Sequence, residues 1–157
     1  MIYSNVQTMV TTNLQSLVSS ATTGWQSAVV DNTTTTYDDA LVQVVLAFDN
    51  VAPANSKCAF VFAYSGLDTT YAYPATGTQG TVTLQDITTN PTALRLIGTI
   101  PHLAANTTIQ SSCMSVAAAF GGALPPKWGI IIVNHSGAAL KSSGSSVTWR
   151  GVRHGVS

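Results

Sequence analysis

Apolar residues recur three and four apart at the start of the chain: Val6, Met9, Val10, Leu14, Leu17, Val18 and Ala21. That spacing lines one face of a helix. Ser4 and Gln7 fit the capping box S-x-x-Q that opens helices. The pattern therefore predicts a helix or partly helical arm over 5–20, although Thr11 and Thr12 lower its propensity. Its opposite face is Thr, Asn, Gln and Ser, without charge. Two placements are open: against its own domain, or onto another subunit. With no salt-bridging positions along the seam, a free-standing coiled coil is disfavoured.

After Gly24 the period shifts from helical to extended. Trp25 to Val30 reads as a strand and 31–39 as a polar loop. Leu41 to Phe48 is dense in β-branched residues and reads as a strand buried on both sides. In Cys58 to Tyr64, alternation puts Phe60, Phe62 and Tyr64 on one face. Short strands are expected at Thr69–Tyr73, Thr81–Leu84, Ala93–Ile100 and Thr107–Ser111. In the third of these, Leu94, Leu96 and Gly98 are expected to share a face. Asn90-Pro91 is read as a turn. Ser115–Leu124 is ambiguous between strand and short helix, and Pro125-Pro126 stops either. Trp128–Val133 and Ser145–Val152 close the series. Eight to ten short strands between Pro, Gly and Asn turns predict an all-β, jelly-roll-like antiparallel sandwich over 24–157, behind an N-terminal arm over 1–23.

Composition sharpens this. Only 8% of residues are charged, against a typical ~25%. Thr, Ser, Asn and Gln take over the solubilising role, and Glu is absent. Residues 1–90 hold six acids and one base, and residues 91–157 five bases and no acid. Either the two halves interleave and pair locally, or opposite patches orient neighbouring copies. No basic stripe exists to neutralise phosphates, so no nucleic-acid partner is expected. The apolar runs are too short to span a bilayer, so no membrane partner is expected. The first ten residues carry neither the cationic region nor the apolar run of a secretory signal, which predicts synthesis in a cytosol.

Candidate chemistry is sparse. There is no G-x-S-x-G elbow, no phosphate-binding glycine loop and, without Glu, no H-E-x-x-H. His102, His135 and His154 stand singly beside Pro or Gly turns and read as exposed. Asp38 and Asp39 are adjacent, so in a strand they point to opposite faces. Cys58 and Cys113 lack metal or redox spacing and read as buried thiols. No enzyme activity, cofactor or metal is expected. Asn32, Asn106 and Asn134 begin sequons, which a chain without a signal peptide leaves unused. Tyr71, Tyr73 and Trp128 could form a platform for stacking a sugar, which makes a carbohydrate- or receptor-binding module of a phage tail or fibre the alternative reading.

Three stretches carry a family likeness: 60–71 (FVFAYSGLDTTY), 94–100 (LRLIGTI) and 119–140 (AFGGALPPKWGIIIVNHSGAAL). Together they resemble small virion proteins of tailed bacteriophages, the capsid decoration or cement proteins. The resemblance implies a jelly-roll-like sandwich on the capsid exterior, often a homotrimer, that clamps neighbouring major capsid protein subunits. It covers roughly residues 25–150 and carries over no functional residue. The contacts expected with capsid or sister subunits are therefore read from the arm, Val6, Val10, Leu14 and Leu17, and from the small basic cluster Arg150 and Arg153.

Overall fold

The computed structural model describes residues 1–84 and 93–155. Its strands are β1 (Ile2–Tyr3), β2 (Gln7–Thr8), β3 (Thr23–Gln26), β4 (Val30–Asp31), β5 (Asp39–Ala47), β6 (Cys58–Gly66), β7 (Gly80–Thr83), β8 (Arg95–Pro101), β9 (Thr108–Gln110), β10 (Met114–Ser115), β11 (Lys127–His135) and β12 (Ser146–Arg153). One short helix, α1 (Val116–Ala119), follows β10. The turn predicted at Asn90-Pro91 lies outside the described residues.

The strands form two antiparallel sheets. The first runs β1–β12–β5–β10, with β2 also on β12 and β9 also on β5. The second runs β7–β3–β11–β6–β8, with β4 also on β11. Three strands are thus interrupted ones: β1 with β2, β3 with β4, and β9 with β10. Taking each pair once and setting the added edge strand β7 aside, chain order gives 1-8-3-6 in one sheet and 2-7-4-5 in the other. That interleaving is a jelly roll. The all-β sandwich expected from the sequence is the architecture found.

Alternation builds the core. Ala40, Val42, Val44 and Leu46 of β5 point inward, as do Ala59, Val61 and Ala63 of β6 and Trp128, Ile130 and Ile132 of β11. Trp25 joins them, and the Trp128 and Trp149 rings meet edge to face at 5.2 Å. Leu41, Gln43 and Val45 lie on the outer face of β5 and are half-buried, so this strand is wholly buried on its inner side and partly buried on its outer side. The expected strand at 25–30 breaks between Gln26 and Val30. The one expected at 69–73 reduces to a single bridge from Tyr71 to Gly66. In β8 a register shift opposite Val61 and Phe62 pairs Gly98 with Val61 and Leu96 with Phe62. Leu96 and Gly98 therefore face opposite ways, contrary to simple alternation.

The N-terminal helix does not form. Residues 2–8 instead lie along the edge of the first sheet, antiparallel to β12. Ser4, the expected cap, accepts a hydrogen bond from the Gly151 amide at 2.8 Å and donates its own amide to the Gly151 carbonyl. Its side chain is thus spent on a neighbouring strand. Thr8, Thr11 and Thr12 favour extended backbone, and a sheet edge offers the amide partners that an uncharged helix face lacks. Only a 3-10 turn at Thr12–Leu14 remains. Leu14 and Leu17 are buried in the core, so residues 1–23 are fastened to the sandwich along their length.

Candidate functional site

The outer faces of the two sheets differ in cover. On β6 and β11, Phe62, Tyr64, Ile131 and Val133 point away from the main core into a second apolar cluster closed by Val82, Leu84 and Leu94. Gly129 makes this possible, since a Cβ there would lie 2.3 Å from the Tyr64 ring. Tyr64 donates its hydroxyl to the Ser27 carbonyl at 3.0 Å, and burial pushes its phenol well above the usual range. The outer face of the first sheet has no such cover. There Val6, Leu41, Gln43, Cys113, Thr148 and Arg150 are among the residues that line a shallow depression of about 210 Å³. The Arg150 guanidinium stacks over Tyr3, 5.9 Å from the ring centre.

The residues expected to make contacts therefore divide. Val6 and Val10 are exposed, 55% and 64%, on or just beyond the edge strand. Arg150 sits beside Val6. Arg153 lies at the end of the same strand, donating Nε to the Thr36 carbonyl at 2.9 Å and stacking over Tyr37 at 5.1 Å. Leu14 and Leu17 are core residues and cannot reach a partner. Tyr3, Leu41 and Cys113 belong to this surface and were missed. The signal for Leu41 was the split of β5 into an all-apolar inner set and a mixed outer set containing Gln43.

One ion pair joins the acidic and basic parts of the sequence by interleaving. Asp31 in β4 pairs in register with Lys127 in β11, and their charged atoms lie 3.3 Å apart. The Thr33 hydroxyl and amide hold the Asp31 carboxyl below its usual range, with Lys127 adding to the effect. Asp38 accepts the His154 amide. The acidic loop and the basic terminal strand thus meet at one end of the sandwich. A cleft of about 560 Å³ opens there, lined in part by Tyr37, Asp38, Asp39, Ser115 and His154. Asp39 is fully engaged inside the fold: it accepts from the Ala40 amide (2.7 Å), the Ala117 amide (2.9 Å) and the Ser115 hydroxyl (2.7 Å).

The proposed sugar platform is dispersed. Trp128 is wholly buried, Tyr71 packs edge-on against Tyr64 at 6.1 Å, and only Tyr73 is exposed. His102 is not an exposed turn residue but is buried, stacked on Phe48 with ring centres 4.4 Å apart. The two thiols are free. Cys58 is half-buried, which pushes its thiol up, and Cys113 is exposed rather than buried. Among the described residues no group of three or more His, Cys or Asp side chains could hold a metal ion, and no helix is long and apolar enough to cross a membrane. Asn32 and Asn134 are buried and hydrogen-bonded, which leaves Asn106 as the accessible sequon.

Comparison with protein-family models, curated proteins and solved structures finds no match for the chain.

Proposed function

We propose that this chain is a structural protein of a tailed-bacteriophage virion, a decoration protein that binds the outer capsid surface and stabilises the head by bridging major capsid protein subunits. It acts as a homo-oligomer, is made in the host cytoplasm and has no catalytic role. The observation that carries the reading is the distribution of exposed apolar side chains. Among the described residues eleven large hydrophobics are exposed, and five of them, Met1, Ile2, Tyr3, Val6 and Val10, fall within the first ten positions. A cluster of this kind on an otherwise polar, weakly charged surface marks an interaction site. It borders the uncovered face of the first sheet, where Val6 and Arg150 meet.

Two further features support the reading. The jelly roll is an architecture used by viral capsid domains, which is support by analogy only. The three stretches that resemble decoration proteins fall together on β8, β6 and β11, adjacent strands of the second sheet. They therefore form the scaffold, and the working surface lies on the other sheet. The test is sedimentation with heads assembled without this chain. The protein should pellet with the heads in a saturable ratio; recovery wholly in the supernatant overturns the proposal.

A further inference from the structure

The N-terminal segment presents a sheet edge as well as an apolar patch. The amides of Ser4 and Met9 donate inward, to the Gly151 and Val147 carbonyls of β12. Strand alternation therefore turns the backbone groups of Tyr3 and Thr8 away from β12, toward the free edge. Unpaired amides and carbonyls in a row specify their occupant chemically: another extended chain.

Sheet edges in monomeric proteins are commonly guarded by charge or proline. The β8 edge of the second sheet carries both, Arg95 and Pro101. The β1–β2 edge carries neither, and residues 1–30 hold no charged side chain. This matters for the choice of partner. A two-fold axis sets the residues nearest it against their own close neighbours, so a charge at the middle of the edge would meet its like and repel. The stretch Ile2–Thr8 brings only Ile, Tyr, Ser, Asn, Val, Gln and Thr. It is self-complementary in charge and hydrogen bonding, and Ile2, Tyr3 and Val6 add exposed apolar surface to bury beside the new ladder.

We infer that two copies of this chain pair antiparallel through their β1–β2 edges, joining their first sheets into one continuous sheet across a two-fold axis. The inference deepens the proposed function by naming one partner of the same surface. A two-fold contact closes at two copies, so it puts a dimer in place of the trimer that the family resemblance implies. The single-residue offset between β1 and β2, seen in the pairing of Tyr3 with Val152 but Gln7 with Trp149, is a bulge between two two-residue strands, so the new ladder forms in two short segments on either side of it.

Sedimentation equilibrium of the purified full chain, from micromolar to sub-millimolar concentration, measures the assembly without heads. A reversible dimer is expected. Val6→Lys should raise its dissociation constant about tenfold or more by doubling a charge at the axis. Asn5→Lys, exposed in the middle of the same stretch, serves as a second edge variant should the first fail to fold. Val18→Lys, exposed but away from the edge, should leave dimerisation unchanged. Amide hydrogen exchange at Tyr3 and Thr8 should slow as the dimer forms. A monomer at every concentration, a trimer, a dimer indifferent to both edge lysines, or fast exchange at Tyr3 and Thr8 in the assembled state would each overturn the inference. A monomer that still pellets with heads would sink the edge pairing and leave the proposed function standing.

Discussion

The two sheets of this sandwich share a core and differ in what lies on their backs. Behind the second sheet, Phe62, Tyr64, Ile131 and Val133 are sealed beneath Val82, Leu84 and Leu94. Behind the first sheet, Leu41 and Val45 face outward half-buried and Val6 is exposed. The difference teaches a division of labour. One sheet carries buried apolar side chains on both of its faces. The other keeps half of its surface uncommitted, and an uncommitted apolar surface is what a neighbouring molecule can cover.

Substitutions break or sharpen this contrast. The largest effect belongs to Tyr64→Ala, which empties a buried aromatic site and orphans the Ser27 carbonyl; urea unfolding should show a loss of about 3–5 kcal/mol. Within the N-terminal segment, Leu14→Ala should cost about 2–5 kcal/mol in the same assay, while Val10→Ala should stay within about 0.5 kcal/mol. Equal costs at the two positions would contradict the division between an anchored residue and a free one.

Gly129→Ala comes next. Its new methyl meets the Tyr64 ring and should destabilise by about 1–3 kcal/mol, with no matching clash for an Ala on the outer face of β5. There Leu41→Ala should cost about 1–2 kcal/mol in the isolated chain, less than Leu14→Ala, since the side chain is only half-buried. Its effect should appear also in sedimentation with heads, where binding weakens.

The smallest effect is at Asp31. Its carboxyl is held below the ordinary range by Thr33 and Lys127. The ionised form is thus favoured in the folded state, so the contribution is present at neutral pH and fades as acid carries the solution down through the folded-state value. Melting curves of Asp31→Asn against the parent should converge at low pH and separate slightly near neutrality, less so at high salt.

Much of the architecture was legible in the sequence because strands carry local signals. The run Leu41 to Phe48, the Phe60-Phe62-Tyr64 alternation and the stop at Pro125-Pro126 each point to the element found. The N-terminus was not legible for a physical reason. A spacing of three and four arose there from residues with different fates: Leu14 and Leu17 enter the core, while Val6, Val10 and Val18 face water. An edge strand borrows its pairing from β12, almost the whole chain away in sequence, and no local period encodes that. The register shift in β8 hid the same way, since it is set by β6. Of the surface, Val6 and Val10 were named from a helical face that does not form, and Arg150 and Arg153 from a small basic cluster. Tyr3, Leu41 and Cys113 emerged only once β12 and β5 were side by side.

The measurement that bears most directly on this division is an image of decorated heads at side-chain resolution. The account predicts this sandwich on the capsid exterior, with the face carrying Tyr3, Val6, Leu41 and Arg150 covered by another molecule and the Val82–Leu84 side turned to solvent. Heads in which that face lies bare, and the sealed sheet makes the contacts, would contradict it.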